Sequence, residues 1–162
     1  MLSSDRRAFL IGSALLLGGC GFRPLYGEGN AGVSAIIEAT ALQEANDPET
    51  YAFRERVRRR VGDARAGGQY LLQWSLNFEE SGVAITRTSN VTRFQVTGIA
   101  QYRLVEQATG KPVQEGMVKT TGAYDATAAA FATRAAQRDE RQQIAEELAE
   151  LTVTRLLAAA SG

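Results

Sequence analysis

Residues 70–79 show the clearest hydrophobic pattern in the chain, an alternation between an apolar set and a mostly polar set of side chains. The apolar set is Tyr70, Leu72, Trp74, Leu76 and Phe78. Side chains alternate between the two faces of a strand, so the segment predicts a β-strand with one apolar face. The sequence Glu80-Ser81-Gly82 then predicts a break or a turn.

Two more strands are predicted after this one. Alternation returns at Val91 and continues to Leu104, and residues 113–124 form a further candidate strand. The sequence Ala-Thr-Gly-Lys-Pro at 108–112 is typical of a turn. Three successive strands with short connections predict an antiparallel meander.

Helical spacing occurs in two segments. Asp47 as N-cap and Pro48 at the first helical position predict a helix that continues to about residue 64. The apolar positions that would share one face of it are Phe53, Val57 and Val61. From about residue 127 to the last residues, the spacing predicts a long terminal helix. Its predicted apolar stripe is Ala145, Leu148, Thr152, Leu156 and Ala159, flanked by Ile144 and Leu151.

A first strand over residues 33–42 completes the predicted order, β-α-β-β-β-α. That order predicts an α+β fold, with an antiparallel or mixed sheet of about four strands and two helices packed on one face. We expect a single domain over residues 33–162.

The N-terminus has the layout of an export signal. A charged start with Arg6 and Arg7 precedes an apolar run over residues 8–17, which is too short to span a bilayer as a helix. Leu17-Gly18-Gly19-Cys20 then resembles the bacterial lipobox. We therefore predict a signal peptide over residues 1–19, lipidation of Cys20, and a glycine-rich tether over residues 20–32. The Arg pair fits both twin-arginine and ordinary Sec export.

Composition excludes several classes of function. The chain has no histidine and one cysteine, which excludes Ser-His and Cys-His catalytic sites and histidine-based metal sites. The carboxylate pairs at 79–80, 139–140 and 146–147 are sequence neighbours, which do not share a helix face. Gly27, Gly29 and Gly32 have the spacing of a dinucleotide loop, but no strand is predicted before them. We predict no enzyme activity, no metal and no cofactor.

Charge argues against nucleic acid as a partner. Removing residues 1–19 takes two basic and one acidic side chain from the 18 of each, which leaves a net charge of −1. Nucleic-acid-binding domains usually carry a strong basic excess. The predicted first helix does carry a local basic set: Arg54, Arg56, Arg58, Arg59 and Arg60. This set is either a patch for anionic lipids or a solvated face neutralised by nearby acids such as Glu55 and Asp63.

The segment from Leu17 to Gly27, with the sequence Leu-Gly-Gly-Cys-Gly-Phe-Arg-Pro-Leu-Tyr-Gly, resembles the start of alphaproteobacterial members of the LptE family of lipopolysaccharide-assembly lipoproteins. The element order and size are also similar to that family. The resemblance implies an outer-membrane lipoprotein on the periplasmic side, inside the lumen of an LptD-like β-barrel. There it would plug the lipopolysaccharide translocon and help to assemble it, and some members bind lipopolysaccharide. The alternative is an accessory lipoprotein of an ABC-type transporter.

If lipopolysaccharide is a ligand, the basic residues of the predicted meander are candidates for binding it. Over residues 83–123, five basic side chains outnumber two acidic ones. We select Arg87, Arg93, Lys111 and Lys119 as candidates for contacting the phosphates of a lipid A head group. The alternative is that these charges keep the sheet soluble and protect strand edges.

The Cys20→Ser variant tests the anchor. We expect this variant to remain an uncleaved or soluble precursor, because the sequence contains no other thiol to receive the lipid. Labelling cells with radioactive palmitate measures this directly. Label retained by the Cys20→Ser protein would contradict the lipoprotein interpretation.

Overall fold

The three alternating segments form the long strands of a sheet, as predicted. A computed structural model describes residues 36, 38–64, 67–85 and 91–160; the predicted signal peptide, Cys20, the tether and Arg87 lie outside the described residues. The elements are β1 (Thr40–Leu42), α1 (Pro48–Val61), β2 (Tyr70–Ile85), β3 (Val91–Glu106), β4 (Pro112–Asp125) and α2 (Ala130–Ala160). This order confirms the predicted α+β fold, β-α-β-β-β-α.

The strands lie in the order β1-β2-β3-β4, so sequence neighbours are also spatial neighbours. β2, β3 and β4 pair antiparallel and form the predicted meander. β1 pairs parallel with β2 because the chain returns through α1 between them. The sheet is therefore mixed, and β4 is the strand at its far end.

Two strand boundaries differ from the prediction. β1 has three residues rather than the ten of segment 33–42, and Ile36 and Glu38 are helical. The Thr40 hydroxyl donates to the Ile36 carbonyl at 2.6 Å, which is a helix-like contact four residues back. β2 does not end at residues 80–82 but continues to Ile85, because this segment still pairs with β3; the irregularity falls later, around Ala84.

The helix α1 begins as predicted at a built N-cap. The Asp47 carboxylate accepts from the Thr50 N–H at 2.7 Å, and the Thr50 hydroxyl lies 3.2 Å from the Asp47 N–H. This reciprocal pair satisfies two N–H groups that a helix start otherwise leaves free. Gly62, with φ of 80°, ends the helix, a conformation that favours glycine.

Both helices pack on one face of the sheet and form the core there. Trp74 is 6% exposed, and its ring centroid lies 5.2 Å from that of Phe53 on α1. Leu72 is buried beside it and Leu76 is partly buried, as the predicted register of β2 requires. Neither helix in the described residues combines the length and the apolar character that crossing a bilayer needs.

The buried stripe of α2 is wider than predicted. Its buried members are Ile144, Ala145, Leu148, Ala149, Thr152, Val153 and Leu157. Leu151 and Ala159, which we predicted on or beside the stripe, are exposed. Because the helix covers a broad sheet, two adjacent helix positions contact the sheet at each turn, and the buried stripe is wider than a single row of residues.

Gly98 on β3 lets α2 approach the sheet closely. A Cβ at this position would clash with Cγ2 of Ile144 and would lie 3.0 Å from Cδ1 of Leu148. Both side chains are buried, and a side chain on residue 98 would push the helix outward. The absence of a side chain here therefore sets the distance between the two layers.

Candidate functional site

The face of the sheet opposite the helices carries mostly polar, exposed side chains. We call it the outer face; it consists of the odd-numbered residues of β2 up to Ser81, of β3, and of β4 from Glu115 onward, because the even-numbered ones in these stretches point to the helices. Its polar members include Gln73, Ser75, Asn77, Glu79, Gln95, Thr97, Gln101, Arg103, Glu115, Lys119 and Thr121. No helix or strand of the described residues packs on this face.

A shallow concavity of about 630 Å³ lies on the outer face and extends across the sheet from Gln43, just after β1, to Met117 on β4. Its lining side chains include Gln73, Ser75, Gln101, Arg103, Glu115 and Met117. Gln43, just after β1, forms one wall. Its amide accepts from the Trp74 N–H at 3.2 Å and donates to the Trp74 carbonyl at 3.3 Å, so the side chain extends the short edge strand. Sequence reasoning did not identify this role of Gln43.

Four charged side chains of the outer face form two cross-strand ion pairs. Arg103 lies 3.4 Å from Glu115, and Arg93 lies 3.5 Å from Asp125. Each pair joins directly opposite residues of β3 and β4. All four side chains are more than half exposed, so the pairs contribute little to stability. Their hydrogen-bonding groups remain accessible to a polar partner.

The structure does not bring together the three predicted phosphate-binding residues that it describes, Arg93, Lys111 and Lys119. Lys119 lies mid-strand on the outer face opposite Ile99, and Lys111 lies in the exposed β3–β4 turn beside Glu106. Arg93 is near the other end of β3. At about 3.3 Å per strand residue, Arg93 and Lys111 are about 40 Å apart. Their role in binding phosphate stays a prediction.

The arginines of α1 are paired rather than free. Arg56 contacts Glu150 at 2.6 Å, and Arg60 contacts the same carboxylate at 3.1 Å. Arg54 contacts Asp63 at 3.0 Å, and Arg58 pairs with Glu55. The structure therefore favours the solvated, neutralised face over a lipid patch, with Glu150 of α2 as a partner that the local sequence did not predict.

A second cavity, of about 160 Å³, lies between the helix C-termini and the sheet. It is mostly apolar, lined by Ile36, Thr40, Val61, Leu72, Leu104, Val113, Gln114, Leu156, Leu157 and Ala159. A cavity of about 150 Å³ holds one benzene-sized group. This one is therefore too small for a complete acyl chain.

Glu80 connects three elements on the helix side of the sheet. Its carboxylate accepts from Gln137 at 2.8 Å, from Arg141 at 2.8 Å and from the Tyr124 hydroxyl at 3.2 Å. Arg141 also lies 3.9 Å from Glu49 at the start of α1. Sequence reasoning treated residues 79–80 as a solvated pair. Residue 80 nevertheless continues the apolar phase of β2, which was the signal that it points inward.

The network shifts the ionisation of two groups. Burial raises the pKa of the Glu80 carboxyl, but the hydrogen bonds from Gln137 and Arg141 outweigh burial and hold the pKa below its usual value. Burial and the neighbouring Glu80 charge raise the pKa of Tyr124 above its usual value. Glu80 is thus a structural anion between β2 and α2.

Comparison with solved structures shows the class of fold. A lipoprotein from Caulobacter crescentus CB15 superposes with a TM-score of 0.65 at 23% identity, over 83% of this chain and 99% of that chain. Lipoprotein B from Nitrosomonas europaea superposes with a TM-score of 0.55 at 13% identity, over 76% of this chain and 83% of that chain. The rare lipoprotein B from Shewanella oneidensis superposes with a TM-score of 0.50 at 17% identity, over 74% of this chain and 96% of that chain. The chain has the fold of these bacterial lipoproteins.

Sequence comparison then gives the family. Residues 38–156 match the family described as LptE, lipopolysaccharide-assembly. The chain belongs to the LptE family, as the resemblance of its N-terminal segment implied. A comparison with curated proteins finds no match.

The Glu80→Gln variant tests the network. We expect a loss of about 1–3 kcal/mol in the free energy of unfolding at pH 7, because charge-assisted hydrogen bonds are lost. The folded-state pKa of Glu80 is lowered, so its contribution is present above the unfolded pKa of about 4.3 and disappears as the pH falls through the folded value. Urea unfolding at pH 7 and pH 3 should show the difference between variant and parent shrinking in acid.

The matched control is Glu79→Gln, which removes the same charge from the outer face, where the structure shows no ion pair for Glu79 among the described residues. This control should unfold with nearly the parent's midpoint at pH 7. Equal losses for the two variants would show that the Glu80 network does not stabilise the fold.

Proposed function

We propose that this chain is an outer-membrane lipoprotein, anchored through Cys20, that plugs the lipopolysaccharide-translocating β-barrel and assists its assembly. Membership of the lipopolysaccharide-assembly family supports the general role. The observation that carries the specific role is the outer face, a broad polar surface that no described element covers. The chain acts by binding and positioning, not by catalysis.

The physical argument rests on what lines a large barrel. Outer-membrane barrels have polar interiors, and the larger ones are closed by plugs. A plug needs an apolar core of its own and a polar surface toward the wall. Here the core is confined to the helix side of the sheet, and the outer face offers amides, hydroxyls and paired ions. Such groups can form hydrogen bonds with a polar wall.

Co-purification tests this proposal, with an LptD-like barrel as the expected partner. The full-length protein is purified from detergent-solubilised membranes, and the proteins recovered with it are identified. We expect a β-barrel with the parent protein, and depletion of the protein should lower barrel levels and weaken the outer-membrane permeability barrier. An inner-membrane ATPase complex in place of a barrel would instead favour the accessory lipoprotein of an ABC-type transporter and remove the plug proposal.

Two matched variants locate the contact. Ser75 is exposed opposite Gln101 on the outer face, and Ser75→Tyr should recover much less barrel than the parent because the ring projects into the concavity. Tyrosine suits a strand, so the fold should persist. Gln143 is exposed on α2, and Gln143→Tyr should recover as much barrel as the parent. Equal recovery with both variants would place the contact elsewhere.

We further propose that Arg87, Arg93, Lys111 and Lys119 contribute to binding lipopolysaccharide phosphates. Charge-assisted contacts of this kind contribute about 1.5–3 kcal/mol each, so changing all four to Ser should weaken binding by more than about tenfold. The control is Arg134→Ser with Arg138→Ser, which removes exposed positive charge from α2. If the control binds no more tightly than the fourfold variant, the effect is one of net charge alone.

Because Arg93 and Lys111 are about 40 Å apart, the fourfold variant is also divided into two double variants. One head group cannot contact both ends of the sheet. Changing Arg87 and Arg93 together, and Lys111 and Lys119 together, should therefore reveal one end that accounts for most of the loss. Unchanged binding in both pairs would refute these residues and leave the barrel proposal standing.

A further inference from the structure

β4 is one of the two edges of the sheet in the described part of the chain, and β3 is its one neighbour there. Its backbone groups alternate in direction. The Ala126 N–H donates to the Thr92 carbonyl at 2.9 Å, which continues the β3–β4 ladder and shows that even-numbered residues of β4 bond to β3. The odd-numbered residues, among them Glu115, Met117 and Lys119, therefore direct their N–H and C=O groups away from the sheet.

At this edge, side chains of opposite charge flank an exposed methionine. Met117 is 54% exposed, which is unusual for a large apolar side chain. Glu115 lies two residues before it and Lys119 two residues after it, and all three are exposed on the outer face. Glu115 contacts Arg103, and Lys119 has no ion-pair partner among the described residues.

We propose that the free edge of β4 joins two copies of this chain in an antiparallel pairing centred on Met117. The two-fold axis would place Met117 opposite Met117 and Glu115 of each copy opposite Lys119 of the other. These are all odd-numbered positions, so the outward N–H and C=O groups meet as hydrogen-bonded pairs. The pairing gives Lys119 a carboxylate and covers the exposed methionine.

A second copy is favoured because the two-fold operation centred on Met117 places the opposite charges of this edge across from each other. Opposite charges directly across two strands stabilise a pair, and like charges destabilise it. Registers centred on residue 116 or 118 also pair odd-numbered residues, but they place Lys119 opposite Val113 or Met117 instead of a carboxylate. A register centred on residue 115 would place Glu115 opposite itself, and one centred on residue 119 would do the same to Lys119. The edge therefore selects the Met117-centred register against its neighbours. The proposal rests on β4 alone and does not depend on the proposed function.

Charge reversal tests the pairing in the full-length protein. Sedimentation of the purified lipoprotein in detergent, over a range of concentrations, gives the monomer–dimer equilibrium. The parent should dimerise, and Glu115→Lys or Lys119→Glu alone should weaken the dimer by about tenfold or more, because each creates like-charge pairs at two symmetric positions. The double variant Glu115→Lys with Lys119→Glu should recover the parent's affinity.

Each other outcome overturns the proposal. A parent that remains monomeric at every concentration shows that the edge does not pair with itself. Single variants that dimerise like the parent place any dimer interface elsewhere. A double variant as weak as the single ones refutes the register. Far-ultraviolet circular dichroism of each variant verifies that the exposed substitutions leave the fold intact.

Cross-linking tests the register independently. Hydrogen-bonded antiparallel residues have Cα atoms about 5.5 Å apart, within the range of a disulfide. Mixing a Glu115→Cys protein with a Lys119→Cys protein under mild oxidation should give a disulfide-linked heterodimer. Each protein alone should give none, because position 115 lies opposite 119 and not opposite itself. The parent under the same oxidation controls for Cys20, and cross-linking of each single variant alone would contradict the register.

Discussion

The close contact between α2 and the sheet at Gly98 is the constraint on which the rest of the structure depends. Ile144 and Leu148 reach the sheet only because residue 98 has no side chain. Both helices lie on this side of the sheet, and the core around Trp74 and Phe53 is formed there. The apolar side chains of three long strands are thereby buried on one side, and the other side is left to polar groups.

The same constraint explains the position of the Glu80 network. Glu80 lies on the inner face of β2 near the start of α1, where its carboxylate is largely removed from water. α2 supplies Gln137 and Arg141 at that level, so the charge is hydrogen-bonded rather than isolated. Arg141 also stacks over Phe78 with its guanidinium carbon 5.5 Å from the ring centroid. The Glu80–Arg141 pair therefore packs beside the apolar core at the point where the apolar pattern of β2 ends.

Alternation and capping were enough to predict most of the fold. The apolar phase of residues 70–78 placed Trp74 inside, and Asp47 with Pro48 placed the start of α1. The strand boundaries that were predicted wrongly depend on contacts between residues distant in sequence. β2 continues past Gly82 because β3 pairs with it, and β1 is limited to the three residues that pair with β2. The Arg56–Glu150 pair joins residues remote in sequence, which no local pattern reveals. The family was apparent from the N-terminal segment, but the uncovered outer face required the sheet order and the side of the helices.

The central claim is that the outer face, and not the helix layer, contacts the partner. Carboxyl footprinting of the full-length protein, free and in complex with the recovered barrel, tests it most directly. Glu79 on the outer face and Glu147 on α2 are both exposed, so both should be modified in the free protein. The account predicts that the complex protects Glu79 and leaves Glu147 reactive. Protection of Glu147 with Glu79 still reactive would contradict it.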